Sequence, residues 1–531
     1  MNVAALFIFV LAFWIRFHNL WLLPINHDEA RWAYLLLRYP EQVKESASGL
    51  INFLPSFLRV LLFGCVSEIK TFNLNDFALH LRLPSVVAGT ATVILIYLLA
   101  KQMYGNRAAL ISSLLLCVLP WHIIHSRIME RVIWVPLFGC LIFLCLLRAQ
   151  AATSRIAGLI WFMLSCLFLD LSLRKYESAV LFIPIFIISL LFLRKKTRVQ
   201  FNFKKFLIII FIAGIFVIPF FCEIQKSGGG FCKYFFRHYH KNIFEGNLMS
   251  NIILNLKNNM GLSIQQLFFA SRANSFLYGQ ALKAPLLVHP AVFILMLGAL
   301  VSAVLRRNSV DFVMLVWLLG GFLGAIGGIS LFQERYVLII LPPALIMLGK
   351  FLSDILNYAK NSNSSKRLIL TFSGTLFICG ILSMEIYQWR DYYLFAPFDL
   401  NECRNNSYGS QEAAEYLSKQ SDIFDYEVIY GERMTVYVYL NYYLLNEGVI
   451  NKCHYFEPGE TNEMKRKGRI YLAWASESHP HNYMNSKGLF EFPYYYLKQK
   501  HPDLLPIRKI NYPNGIPAMY IFKTTAEDEN G

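Results

Sequence analysis

The chain has 531 residues, of which 56% are hydrophobic and only 16% charged, with a mean hydropathy of +0.42. Soluble domains run about 45–50% apolar and about 25% charged, so the ordinary soluble and disordered classes are excluded. The net charge of +16 and pI of about 9.3 would suggest nucleic acid in a soluble chain; here the basic residues collect in short loops between apolar runs, which is a membrane-topology signal and not a nucleic-acid one.

A helix needs about 20 mostly apolar residues to cross a bilayer. On that measure about eleven membrane helices are predicted, near 3–20, 83–100, 108–125, 132–147, 156–173, 178–193, 206–222, 289–305, 311–330, 336–352 and 368–388. The opening run lacks a basic start and a small-residue cleavage site, so it is expected to stay as the first membrane helix. Directly after it comes "LLPINHDEARWAY", residues 22–34, which sets His27, Asp28, Glu29 and Arg31 together. The first long loop, 24–82, also holds the amphipathic stretch "INFLPSFLRVLLFG", suited to lying along a membrane surface. The third helix contains Pro120, tolerable in a membrane where neighbours re-satisfy freed backbone groups. It leads into "PWHIIHSRIMER", 120–131, with His122, His125, Arg127, Glu130 and Arg131.

Between the fifth and sixth helices lies "LSLRKYESA", 171–179. A second long loop, 223–288, carries Lys226, Lys233, Arg237, His238, His240, Lys241 and Lys257. The helix near 336–352 begins in "LFQERYVLIILPP", 331–343, with Glu334, Arg335 and Tyr336. After residue 390 the composition changes. "SQEAAEYLSKQ" reads as a helix; "YEVIYG", "TVYVYL", "RIYLAWA" and "PAMYIFKTT" read as strands, the last after the turn "YPNG". The expected organisation is a membrane domain over 1–390 and an α/β domain over 391–531.

Orientation follows from the loops. With the N-terminus inside, one face collects Lys101, Arg107, Arg148, Arg155, Arg194, Lys195, Lys196, Arg306, Arg307 and Lys366. The opposite loops carry fewer cations, mixed with acids. The odd helix count then sends both long loops and the tail to the extracytoplasmic side of a multi-pass protein of the cell (inner) membrane. Five cysteines, Cys117, Cys140, Cys145, Cys166 and Cys379, lie in helices and read as packing residues. Cys403 and Cys453 share the outer domain, where an oxidising compartment would allow a disulfide.

Four charged clusters, around residues 28, 127, 175 and 335, fall on that outer face. Each has a plain structural alternative. Asp28 would cap a helix over "EARWAYLLLRY", and Trp, Arg and His commonly anchor helices at the interface. Anchoring, however, would distribute charge over both faces. Ionisable groups near hydrocarbon are costly and tend to be functional, and acids and bases gathered on one face suit a charged, lipid-linked substrate.

The motifs "RFHNL", "HDEARWAY", "LRLPSVVAGTATVILIYLLAKQMYGNRAALISSLLLCVLPWHIIHSR", "FLYG" and "ERYVLIILP" occur here in an order that resembles glycosyltransferase family 39. That family holds the protein O-mannosyltransferases and the lipid A aminoarabinose transferases, of the GT-C fold. The resemblance covers most of residues 1–390. The short 223–288 loop leaves no room for the extra β-trefoil domain of eukaryotic members and indicates a bacterial or archaeal type.

The resemblance implies a polyprenyl-phosphate sugar donor, a hydroxyl acceptor on a lipid, glycan or protein, and inverting transfer on the outer face. Asp28 is then the base candidate, with Glu29 beside it. Glu130 is the acid of the second cluster, at a position where many members carry Asp. Arg127 would orient that acid or contact the phosphate; Lys175, Tyr176 and Arg335 are donor-phosphate candidates. A carboxylate at hydrogen-bond distance removes the proton of an attacking alcohol, and positioned cations stabilise the departing phosphate. No cofactor is required on this reading. A divalent metal is the minor alternative, because His27 with Asp28, or His238 with His240, have ligating side chains. Two other functions compete. A transporter or flippase of lipid-linked sugars would place ionisable groups near the midplane, usually with internal repeats, and neither is visible. A non-catalytic scaffold with an exported sensor domain leaves the four clusters unexplained.

Overall fold

The computed structural model describes residues 3–18, 74–128, 131–173, 175–193, 253–260, 290–327, 334–361, 409–420, 426–430, 453–455, 468–474, 502–511 and 517–525, with isolated positions between them. The chain divides into two compact units, Met1–His18 with Ser85–Arg390, and Asn19–Pro84 with Asp391–Gly531.

In the first unit the helices are α1 (Val3–Phe17), α2 (Leu74–Tyr104, which enters this unit at Ser85), α3 (Asn106–Val118), α4 (Pro120–Ser126), α5 (Trp134–Ala151), α6 (Arg155–Leu173), α7 (Phe182–Leu193), α8 (Pro290–Arg306), α9 (Ser309–Gly327) and α10 (Leu341–Asn361). Among the described residues five helices are long and apolar enough to span a membrane, or up to six with the bent pair α3–α4 as one span; α1, 178–192 and 294–306 are shorter apolar helices. The helices expected near 206–222 and 368–388 fall largely outside the described residues. The protein is an integral membrane protein of helical type. Its exposed side chains are those of a lipid-facing surface: Val3, Phe7 and Val10 on α1, and Ile294, Val301 and Leu305 on α8.

Two expected helices differ in shape. The helix expected from 83 begins at Leu74 and carries Pro84 within it. The one expected over 108–125 is broken: α3 ends at Val118, Pro120 opens α4, and the two axes differ by 63°. Proline has no N–H to give the carbonyl four residues back, and its ring crowds that carbonyl.

The bundle core is aromatic and close-packed. Trp317 of α9 stacks on Phe143 of α5 (centroids 4.4 Å) and meets Phe182 edge-on (5.9 Å), while its indole N–H donates to the Ile339 carbonyl at 2.9 Å. Gly139 permits this approach, because a Cβ there would lie 2.6 Å from Trp317 and 2.7 Å from Phe182. At the end of the bundle where α2 finishes and α9 starts, Asp311 is fully buried. It accepts from Tyr104 (2.6 Å) and from two nitrogens of Arg306 (2.9 and 3.0 Å), and Arg306 also reaches Asp354 (3.0 Å). Lys350 pairs with the same Asp354. This closed ionic cluster ties α2, α8, α9 and α10 together.

The second unit carries a five-stranded sheet from β1 (Tyr426–Tyr430), β2 (Cys453–Tyr455), β3 (Gly468–Trp474), β4 (Arg508–Asn511) and β5 (Pro517–Lys523), in the order β2-β1-β3-β5-β4. β1 is parallel to β2 and β3; β5 is antiparallel to β3 and β4. Leu472 opposes Ile521, and both are buried with Ile470, Met519 and Phe522. The helix α11 (Ser410–Ser418) buries Ala413, Ala414 and Leu417, and Arg508 lies over the Tyr416 ring at 5.6 Å. The run "TVYVYL" and the thiol of Cys403 lie outside the described residues, as does the side chain of Cys453.

Candidate functional site

Consecutive helices run back and forth. The C-terminal ends of α1, α6 and α9, the α3–α4 break, and the N-terminal ends of α5, α7 and α10 therefore share one end of the bundle. Three connections there form 3-10 turns, at Arg131–Ile133, Glu177–Leu181 and Glu334–Ile340. The third packs against both of the others. Three of the four charged clusters read from the sequence, those around residues 127, 175 and 335, thus meet although they are far apart in the chain.

Lys175 sits in this meeting place. Its ammonium lies over the Trp134 ring, 5.2 Å from the centroid, a cation–π contact. Burial, and then the Arg131 guanidinium, pull its pKa down to about 7. A nearby anion would reverse both effects, since it restores the charge that burial disfavours. The neighbouring Tyr176 ring faces Tyr336 at 5.9 Å, and with Leu181 it covers buried Ala325. Asn259 of the helical stretch 253–260, inside the second long loop, is buried and donates to the Ile326 carbonyl at 3.0 Å, anchoring that loop to α9.

A second structure at this end was not read from the sequence. Arg16, in the last turn of α1, is fully buried. Its Nε donates to Ser126 Oγ (3.2 Å), Nη1 to the carbonyls of Ala12 (3.0 Å) and Cys117 (3.2 Å), and Nη2 to the Leu116 carbonyl (3.2 Å) and His122 Nδ1 (2.8 Å). Five acceptors match the five N–H donors of a guanidinium. Arginine cannot accept, so His122 accepts at Nδ1 and carries its proton on Nε2, which is buried with no hydrogen-bond partner among the described residues. Arg127 sends Nη1 to the carbonyls of Ile15 (3.3 Å), Arg16 (3.1 Å) and His18 (2.5 Å), closing the C-terminus of α1. Gly89 makes room for this knot: a Cβ there would stand 2.4 Å from Ser126 Oγ and 3.2 Å from Arg16 Nε. In the other unit Arg82, of the same "RLPS" motif, donates to the Leu20 carbonyl at 2.6 Å.

Of the residues proposed from sequence, Lys175 and Tyr176 are brought together with the Glu334–Ile340 turn. Arg335 lies on that turn, its side chain outside the described residues. Arg127 is present and buried, with one nitrogen committed to α1 carbonyls, an anchoring role the sequence reading did not assign. Asp28, Glu29 and Glu130 lie outside the described residues, as do His27, His238 and His240. Among the described residues no three His, Cys, Asp or Glu side chains gather as a metal site. Asp170, buried in the last turn of α6, is one more acid at this end. Arg16 had a signal available, being the lone charge in an apolar helix of 15 residues.

Comparison with known proteins gives the fold. The chain has the fold of ArnT from Cupriavidus metallidurans, solved in complex with undecaprenyl phosphate: TM-score 0.56 and 12% identity over 98% of each chain. The apo form of that protein superposes with a TM-score of 0.54, also at 12% identity and 98% of each chain. The oligosaccharyltransferase of Archaeoglobus fulgidus in its apo form gives 0.51 at 12% identity, over 85% of this chain and 64% of that one. No curated protein matches by sequence. These likenesses give the chain the fold of those membrane proteins. More particularly, residues 70–222 match the family described as dolichyl-phosphate-mannose-protein mannosyltransferase. That segment contains Arg82, Gly89, the α3–α4 break, Arg127 and Lys175.

Proposed function

We propose that the protein transfers a sugar from a polyprenyl-phosphate donor to a hydroxyl of a lipid, glycan or protein acceptor, by a single inverting displacement at the extracytoplasmic face of the cell (inner) membrane. Asp28 takes the acceptor proton as the oxygen attacks the anomeric carbon, with Glu29 and Glu130 as neighbouring acids. The bond from that carbon to the phosphate oxygen breaks, and the lipid phosphate leaves with the charge. Lys175, Tyr176 and Arg335 bind and stabilise it, with Arg127 holding the frame on which the acids are carried. Cations placed where charge develops do this work without a metal. The 391–531 domain is on the extracytoplasmic side as well.

The observation that carries this reading is the convergence of the 131–133, 177–181 and 334–340 turns around an aromatic-shielded lysine at one end of a membrane bundle. The undecaprenyl phosphate bound by the ArnT of the same fold supports a lipid-phosphate ligand. The test is Asp28→Asn in purified protein, with a synthetic polyprenyl-phosphate sugar and a hydroxyl acceptor. Folded, monodisperse variant with transfer reduced about 1000-fold or more is the expected result, in line with removal of a general base. Native turnover in that variant removes Asp28 from the role.

A further inference from the structure

At the end of the bundle opposite Lys175, α8 presents a groove that the transfer reaction does not use. Leu297, Val301 and Leu305 stand four residues apart on one face of α8, all exposed. With Gly298, Ser302 and Phe351 of α10 they line a groove of about 620 Å³ that ends at Arg306. Gly298 and Ser302 are small residues four apart, a spacing that in membranes commonly serves helix–helix contact. Here both are already used inside the chain. A Cβ on Gly298 would stand 2.8 Å from the Phe351 ring, so glycine lets that ring lie close against α8. Ser302 Oγ accepts from Arg306 Nη1 at 2.9 Å.

The length of the groove and the charge at its rim select the occupant. Leu297 and Arg306 are nine positions apart, about 13 Å of helix, close to one leaflet of a hydrocarbon core about 30 Å thick. The walls are largely aliphatic and aromatic, and the rim is cationic. Arg306 and Lys350 are balanced by Asp311 and Asp354. Arg307 is not: it is exposed and has no hydrogen bond or ion pair among the described residues. The rim thus carries one unbalanced positive charge. Arg307 also has a φ of 49°, in the left-handed region that helix ends ordinarily give to glycine or asparagine, so a long cation is kept there against the backbone preference. Helix dipoles and membrane topology favour cations at such an end, but neither explains an apolar slot that runs one leaflet deep below them.

We propose that this groove binds one anionic phospholipid of the surrounding bilayer, with an acyl chain along α8 against Phe351 and the phosphodiester at Arg307. One unbalanced cation matches one phosphodiester charge, and the depth matches a chain anchored in a single leaflet. A lipid seated there braces α8 against α10 whatever reaction proceeds at the other end.

The experiment places the full chain in vesicles of dioleoylphosphatidylcholine with a trace of phosphatidylglycerol bearing a photoreactive acyl chain, and maps the crosslinks by digestion and mass spectrometry. They concentrate on 297–305 and Phe351. Native mass spectrometry then gives the affinity of the first bound lipid. Phosphatidylglycerol exceeds phosphatidylcholine by about fivefold, the worth of one basic side chain near a membrane surface, and Arg307→Gln brings the ratio to about one. Val301→Trp fills the groove and removes both the Phe351 crosslink and the first bound lipid. Both positions are exposed, so neither variant disturbs the packed core; should Val301→Trp not fold, Leu305→Trp is read in the same way. Crosslinks spread evenly over the lipid-facing helices overturn the inference, as does a lipid ratio unchanged in Arg307→Gln. Displacement of the photolabel by a polyprenyl phosphate and not by phosphatidylglycerol also overturns it, and a mass of two chains with 297–305 shielded from the label assigns the face to a second copy instead.

Discussion

On the proposed function, the state of Lys175 makes the donor site sensitive to pH. In water a lysine ammonium titrates near 10.5; burial and the Arg131 charge bring Lys175 to about 7. The free protein therefore holds the charge below pH 7 and loses it above. At pH 8 about a tenth of molecules carry it, and at pH 9 about a hundredth. A donor phosphate is attracted only by the charged form, so kcat/KM falls about tenfold for each pH step above 7, the profile reporting the free enzyme. Saturating donor moves the limb upward, because a bound anion favours the ammonium. Arginine stays charged throughout this range, so Lys175→Arg moves the alkaline limb above pH 9 whatever it costs in absolute rate. The assay is initial-rate transfer in detergent between pH 6 and 9, with the acceptor saturating. An alkaline limb that remains near 7 in Lys175→Arg would falsify the assignment of Lys175 to the donor phosphate.

Other outcomes follow from packing. Gly89→Ala sets a methyl 2.6 Å from Ser126 Cβ, an overlap that backbone must move to relieve; the cost is about 1–3 kcal/mol, read as a lower unfolding midpoint, and Ser126→Gly in the same chain recovers most of it. A native midpoint for the single variant contradicts the close approach. Asp311→Ala leaves Tyr104 and Arg306 without their shared acceptor at the opposite end of the bundle. Removing one partner of a buried pair costs about 3–5 kcal/mol. Arg306 keeps Asp354, which puts this variant at the lower figure. Transfer per folded molecule stays native, because the cluster is remote from the turns that carry Lys175.

Much of the membrane bundle was legible because a lipid environment imposes a simple rule on sequence: long apolar runs, with charge at their ends. The runs at 132–147, 156–173 and 311–330 needed only small changes at their boundaries to become α5, α6 and α9. The kink at Pro120 was less legible. The proline was visible, but a membrane helix can absorb one with or without bending, and Arg16, which bonds both sides of the break, is 106 residues away from His122. Gly89 shows the same limit: its place in "RLPSVVAG" was noticed, and only the neighbouring Ser126 explains it. In the second unit β1, β3 and β5 were readable from their apolar, β-branched and aromatic content. β2 is three residues long, and β4, "RKIN", is polar and exposed at a sheet edge, with one buried side chain. Neither offers the alternation by which strands are recognised. At the site, sequence grouped the charges by membrane face; it had no means of showing that Arg127 spends one nitrogen on helix-end carbonyls.

The bond between Arg16 and His122 also bears on how the chain is made. α1 leaves the ribosome before α3 and α4, carrying a guanidinium whose acceptors on those helices do not yet exist. At about 5–20 residues per second, synthesis of the intervening stretch takes on the order of 5–20 s. During that interval an arginine at a helix centre disfavours insertion by about 2.5–3.5 kcal/mol, less near an end where it can reach the interface. The nascent helix is thus poorly anchored until its partner emerges, and biogenesis of this protein should depend on the insertion machinery retaining α1 beside the lateral gate until α3 and α4 arrive to relieve it.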